Sequence, residues 1–298
     1  MKPGQGDAKR RLAALKARLA PCTLCPRFCR VDRPAGRIGF CGAGTVAVVS
    51  SAGPHFGEES CLVGRGGSGT IFLAGCNLGC VFCQNADISR AVVGRDADTP
   101  ALAHLMLSLQ ERGCENVNLV TPTHFTAALA EAVLEARRRG LAVPIVWNSG
   151  GYELADVLRL LDGLVEIYMP DFKFARRRSA DRYCRAPDYP DRAREALREM
   201  HRQVGDLSVE GGVARRGLLV RHLVMPGHAA ETREVLDFLA REISADTFVN
   251  VMGQYRPLGD LQTRQGRAQF AEIAMRPTSE EVEAARDYAR RLGLRLAD

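Results

Sequence analysis

No run of about 18 consecutive apolar residues occurs in the 298-residue sequence, so no membrane-spanning helix is expected. Met1-Lys2-Pro3-Gly4 lacks the apolar segment of a secretory signal. The ten cysteines are therefore read as belonging to a reducing cytoplasm and to metal chemistry, not to a disulfide framework. Net charge is small, +6, and much of it lies in runs such as Arg137-Arg138-Arg139 and Arg176-Arg177-Arg178. These read as solvated helix ends and loops, and nucleic acid is not expected as a partner. The chain also lacks a glycine-rich loop joining a strand to a helix. Its run Gly64-Arg65-Gly66-Gly67-Ser68-Gly69 precedes a strand, so it reads as a tight lead-in and not as a phosphate cradle. What remains, at 46% hydrophobic and 26% charged, suits one large α/β domain with a sizeable core.

Against these absences stand two groups of cysteines. Cys76, Cys80 and Cys83 occur in a CxxxCxxC spacing within Gly75-Cys76-Asn77-Leu78-Gly79-Cys80-Val81-Phe82-Cys83-Gln84-Asn85. The loop follows Thr70-Ile71-Phe72-Leu73-Ala74, a β-prone run that reads as a buried strand. Glycines at 75 and 79 let the loop turn tightly and bring backbone close to whatever the sulfurs hold. A disulfide leaves one thiol over. Zinc with a fourth ligand from elsewhere and an iron–sulfur cluster with one open iron both satisfy the spacing. Upstream, Cys22, Cys25, Cys29 and Cys41 are spaced by two, three and eleven residues among Pro and Gly turns. That pattern predicts a second metal site, zinc or cluster. Cys61, Cys114 and His55 are read as structural. Cys184 is placed in a loop with Asp181, Arg182 and Tyr183 after the 164–169 strand, an approach to the active face being the lesser of its two readings.

The first 66 residues are expected to form an N-terminal helix over about 7–20 and the cysteine-rich module. Within them, Thr45–Val49 and a turn at Gly53-Pro54-His55 predict a hairpin-like link. Residues 67–298 are expected to form the main domain. There, β-prone runs at 70–75, 116–120, 143–147, 164–169, 218–224 and 247–252 alternate with helical periodicity. Thr278-Ser279-Glu280-Glu281 opens the last helix with a capping-box pattern. Six β/α units imply a parallel sheet, and six strands are too few for a closed eight-stranded barrel, so a curved, open (β/α)6 barrel is predicted. Active faces of such sheets lie at the strands' C-terminal ends. Candidate groups there are Thr123 and His124, Asn148 and Ser149, Asp171 and Lys173, and His222.

The loop from Gly75 to Asn85 resembles the cluster loop of the radical S-adenosylmethionine (radical SAM) superfamily, and more narrowly that of enzymes related to the pyruvate formate-lyase activating enzyme. The resemblance implies a partial (β/α) barrel and a 4Fe–4S cluster on Cys76, Cys80 and Cys83. Its fourth iron would chelate the amino and carboxylate groups of S-adenosylmethionine, with Phe82 near the adenine. Asp171 and Lys173 resemble an Asp-Leu-Lys pattern that brackets the methionine carboxylate, in some relatives with a monovalent cation. Where relatives carry a Gly-Gly-Glu-like motif for the methionine amino group, this chain has Thr121-Pro122-Thr123, so the backbone or hydroxyl of Thr123 takes that role. Asn148 and Ser149 are expected to bond the ribose, and His222 to lie along the nucleoside. The implied activity is reductive cleavage of S-adenosylmethionine and hydrogen abstraction, as in activases that act on a glycine of a partner enzyme. A flavodoxin- or ferredoxin-type donor would supply the electron. A radical SAM enzyme acting on a peptide or small molecule, and a zinc-stabilised module binding nucleic acid or protein, are the alternatives.

Overall fold

Buried β-prone runs and amphipathic helices alternate along the chain, and in the computed structural model, which describes residues 5–297, they assemble into one wound sheet. The chain opens with helix α1 (Gln5–Ala17), then β1 (Ala47–His55), the short α2 (Ser60–Val63), β2 (Ser68–Leu73), α3 (Ala86–Arg90) and β3 (Arg95–Ala97). α4 (Thr99–Glu111), β4 (Asn116–Val120), α5 (Thr126–Arg138), β5 (Ile145–Ser149), α6 (Ala155–Leu158) and β6 (Ile167–Pro170) follow. The second half contains α7 (Arg177–Cys184), α8 (Tyr189–Val204), β7 (Ser208–Glu210), β8 (Val213–Leu223), α9 (Ala229–Phe238), β9 (Phe248–Met252), α10 (Arg264–Gln269), α11 (Ser279–Arg291) and β10 (Arg295–Leu296).

The helix ends follow their local chemistry. The Asp98 side chain caps α4 by accepting from the Ala101 amide, and Thr278 and Glu281 form the reciprocal capping box of α11. The sheet order is β10-β9-β8-β6-β5-β4-β2-β1-β3, with β7 paired to β8. From β2 to β10 along this order every pair is parallel, and β1 and β3 form an antiparallel edge. An α/β fold with a mostly parallel open sheet is thus the observed architecture. Central strands β4, β5 and β6 are buried at every position, as strands covered on both faces must be.

Register sorts the side chains into two faces, since neighbours along a strand point oppositely. Ile71, Leu119, Trp147, Tyr168 and Leu218 form one row, in the large core shared with the helices. Thr70, Asn118, Val146 and Ile167 form the adjacent row, on the inner face. Val146, Ile167, Met169 and Leu219 there make a second, separate cluster with Cys61 and Leu62 of α2. The helix containing Cys61 therefore closes part of the inner face.

Several local expectations are corrected. Gly53, Pro54 and His55 are not a turn but the end of β1, paired with β2. The turn signal fails because β1 is an edge-side strand, where Pro is tolerated. Cys184 ends helix α7 instead of lying in a loop. α7 was invisible as a helix because its basic stretch carries few apolar residues. Ser68 and Gly69 already belong to β2. A Cβ on Gly66 would fall 1.8 Å from the Gly113 carbonyl oxygen, so the glycines serve close backbone packing.

Candidate active site: the cysteine loop and its rim

The loop after β2 is held from several sides. The Gly79 amide donates to the Cys184 carbonyl at 3.2 Å and the Val81 amide to the Tyr183 carbonyl at 2.9 Å, which docks the end of α7. The Asp260 amide donates to the Val81 carbonyl at 2.8 Å, and Arg90 bonds the Cys80 carbonyl at 2.9 Å. The Asn77 amide group donates to the Tyr152 carbonyl at 2.7 Å. Arg27, between two N-terminal cysteines, donates to the carbonyls of Asn77 at 2.7 Å, Cys184 at 3.2 Å and Arg185. Its guanidinium stacks 3.8 Å over the Phe40 ring. Cβ atoms on Gly75 and Gly79 would approach the Cys41 carbonyl oxygen to 2.5 Å and the Phe40 ring to 3.2 Å. The two glycines thus bring the loop's backbone against the N-terminal module.

Within this frame the three thiols lie near enough to act on one another's charge. Burial pushes the Cys76 thiol up to about 12, and the neighbouring Cys80 and Cys83 push it the same way by charge repulsion. Cys83 is likewise raised by burial and by Cys80, against a bond from Ser89. Cys80 is instead held down at about 7, first by its contact with the Cys184 thiol, with the charge of Lys173 acting in the same direction. Lys173 stands beside all three sulfurs. Burial works against its charge, yet Asp171 and Cys80 hold the ammonium well above its usual range. Its Nζ lies 2.6 Å from Asp171 Oδ2. The Tyr189 hydroxyl donates to the Asp171 carbonyl and accepts from the Lys173 amide, fixing this turn.

Among the described residues, no three His, Cys, Asp or Glu side chains converge as one metal ion requires.

The N-terminal cysteines show the same relation. Burial raises Cys25 to about 12, with Cys41, Cys22 and Cys29 adding charge repulsion, and Cys41 is raised by burial and by Cys22 and Cys29. The four thiols therefore lie near enough to act on one another's charge.

The other expected residues divide by strand parity. Asn148 pairs with Met169 on the inner face, and Asp171 bridges Arg221 there. Ser149 and His222 point the other way. Ser149 receives the Gly151 amide at 3.3 Å, and His222 is locked between the Phe172 carbonyl at 2.7 Å and the Thr232 hydroxyl at 3.0 Å. These two are corrected to packing roles. The Thr123 hydroxyl donates to Glu153 at 2.7 Å and the Thr123 carbonyl accepts from the Thr126 hydroxyl at 2.7 Å, so its hydroxyl proton is already spent. Glu153, whose carboxyl burial pushes up, also accepts from Trp147. His124 bonds the Ala74 carbonyl at 2.8 Å and supports the end of β2 from beneath. The Phe82 ring packs 6.0 Å from Phe174 and from Tyr255, bracing the loop from the core. Two features escaped sequence reasoning: the brace made by Arg27, α7 and Gly259-Asp260, and Asn118. The Asn118 side chain is fully buried on the inner face with neither amide atom partnered.

A family model described as Radical SAM superfamily matches residues 70–239, more than half of the chain. The chain belongs to the radical SAM superfamily. It is also 30% identical, over 99% of its length and 81% of the relative's, to an uncharacterized protein of Methanocaldococcus jannaschii. Among solved structures, it is similar to the SuiB of Streptococcus suis bound to its precursor peptide SuiA. The TM-score is 0.47 at 12% identity, covering 75% of this chain and 46% of that one. The radical S-adenosylmethionine methyltransferase TsrM of Kitasatospora setae gives a TM-score of 0.44 at 16% identity, covering 62% and 36%. The chain spans less than half the length of these two structures.

Radical SAM membership implies a 4Fe–4S cluster and S-adenosylmethionine, and the residues present fit both. Cys76, Cys80 and Cys83, near enough to act on one another's charge, would supply the sulfur ligands. Lys173 and Asp171 offer opposite charges beside them, and the orphaned Asn118 amide offers a donor and an acceptor on the inner face. No helix among the described residues is long and apolar enough to cross a membrane.

Proposed function

We propose that this radical SAM enzyme abstracts hydrogen from the backbone of a protein or peptide, with a glycine of a partner enzyme as the target. The observation that carries the radical chemistry is the grouping of Cys76, Cys80 and Cys83, whose thiols act on one another's charge and feel that of Lys173, itself bonded to Asp171. When bound, the cluster supplies the electron that cleaves S-adenosylmethionine to methionine and a 5′-deoxyadenosyl radical. The chain's own part is to position and to exclude water. Lys173 and Asp171 take the charged methionine end, Asn148 and Asn118 present amides to the nucleoside, and the packed Phe82 keeps the loop in one geometry.

A macromolecular substrate is supported by the open sheet and by the exposed apolar side chains Phe28, Ile38 and Phe40 on the module that touches the cysteine loop. Cys22, Cys25, Cys29 and Cys41 are proposed to hold a second metal site, zinc or an iron–sulfur cluster, on the strength of their spacing and mutual charge repulsion. A small-molecule substrate is the second reading. It is favoured by a polar cavity of about 480 Å³ lined in part by Glu58, Glu59, Arg221, Asn250, Gln254 and Arg286.

The test is anaerobic. Reconstituted protein, dithionite and S-adenosylmethionine should release 5′-deoxyadenosine, and replacing Cys76, Cys80 and Cys83 together by Ala should abolish it. Colourless, zinc-loaded protein, or release surviving the triple change, sinks the enzyme reading in favour of a zinc-stabilised binding module. For the substrate, the reduced enzyme is given dialysed cell extract or its small-molecule filtrate. A glycyl-radical EPR doublet in the dialysed arm supports the partner-protein target, and a rise in 5′-deoxyadenosine confined to the filtrate rejects it.

A further inference from the structure

A fourth cysteine stands at the cysteine loop without a role in the reading above. Cys184 Sγ lies 3.3 Å from Cys80 Sγ, and the Cys184 side chain is fully buried. The separation excludes two simple roles. It is well beyond the roughly 2.05 Å of a disulfide. It is too short for two sulfurs bound to different irons of one cubane, so Cys184 is not a ligand standing next to Cys80 on the same cluster. Two bare thiolates at this distance in a buried site would repel strongly, and a proton between them removes that repulsion.

The position is built, not incidental. The carbonyls of Tyr183 and Cys184 accept the Val81 and Gly79 amides, so the end of α7 is fastened to the loop on both sides of Cys80. Arg27 donates to the carbonyls of Cys184 and Arg185, and Arg185 turns the chain sharply away with a φ of 53°. Cys184 is thereby held in place, with its thiol within hydrogen-bond reach of the Cys80 sulfur.

We propose that the Cys184 thiol donates a hydrogen bond to the sulfur of Cys80 and thereby raises the electron affinity of the 4Fe–4S cluster without ligating it. A donor to a ligand sulfur stabilises the more negative, reduced cluster more than the oxidised one, the general way in which surrounding groups tune such sites. Cys184 is a positioning and tuning residue, and the inference rests on the radical SAM reading.

Cys184→Ser keeps a donor, whereas Cys184→Ala and Cys184→Val remove it. The full chain, reconstituted anaerobically, is titrated electrochemically with the reduced cluster followed by EPR, and iron and sulfide are counted in parallel. Iron content should match wild type in all three. At a fixed ambient potential the reduced-to-oxidised ratio should fall roughly tenfold in the Ala and Val chains, about 59 mV for a one-electron couple. The Ser chain should stay near wild type. Unchanged midpoints in both apolar variants overturn the proposal. So does loss of an iron in Cys184→Ala, which would make Cys184 a ligand, or failure of all three variants to load. A wild-type chain without a cluster signal defeats the family-based reading itself, whereas a normal wild-type cluster with unmoved variants defeats the inference alone.

Discussion

His124 is fully buried between the end of β2 and helix α5, with Nε2 donating to the Ala74 carbonyl and Nδ1 without a partner. Desolvation pushes its pKa down to about 4 from an ordinary 6.5, with the bond to Ala74 opposing. The fold therefore holds the neutral ring. Between about pH 6.5 and 4 the unfolded chain binds the proton that the folded chain refuses, so stability is complete above that window and declines as pH falls through it. Going from about pH 7 to pH 5 should remove about 2 kcal/mol through this residue alone. Urea melts of the wild-type chain across that range should show the slope, and His124→Asn should flatten it. An equal slope in both would show that His124 is not held neutral. Asn148 and Ser149 teach a related lesson. They are adjacent in sequence and of similar chemistry, yet strand alternation sends one inside and one outside.

At the scale of elements, the cysteine loop depends on α7 and the N-terminal module, joined through Arg27. Its fork bonds three carbonyls and lies over Phe40, an arrangement that a lysine's point charge does not reproduce. Arg27→Ala should lower stability by about 2–3 kcal/mol, with Arg27→Lys recovering little of it. Because cleavage follows the population of the opened form, proteolysis within the cysteine module should accelerate at least several-fold. Denaturant midpoints and timed trypsin digests of the two variants check this. Cleavage rates equal to wild type would mean that the module is fastened elsewhere.

Across the whole molecule, a buried ionic tie fastens the segment after β1 to the far side of the sheet. Glu59, 2% exposed, accepts from Arg221 Nε at 2.7 Å on β8 and from Asn250 at 2.8 Å on β9. Glu58 also pairs with Arg221, which is only 16% exposed. Arg221 holds Glu59 ionised against the penalty of burial, below the usual carboxylate range. Removing one partner strands the other charge, so Glu59→Ala should cost about 3–5 kcal/mol, whereas Glu59→Gln should cost less. Thermal and urea unfolding of the intact chain measure both. A loss under about 1 kcal/mol for the Ala chain would show that Glu58 carries the tie alone.

The strand-and-helix alternation, the open parallel sheet and the two cysteine groups were legible in the sequence, because hydrophobic periodicity and short-range spacing are local properties. The capping box of α11 and the β4 run Asn116–Val120 were legible for the same reason. Which residues reach the candidate site was decided only by tertiary structure. Cys184 lies 104 positions from Cys80, Arg27 is 50 from Asn77, and Glu59 is 162 from Arg221. No local pattern encodes such pairs. Strand parity, set by sheet register, turned His222 and Ser149 toward the helices, and the end of a short, basic helix carried Cys184 to the cysteine loop. Cys76, Cys80 and Cys83 announce themselves by spacing. The groups around them are chosen by packing, because the docking of helices on the sheet brings distant segments to one rim.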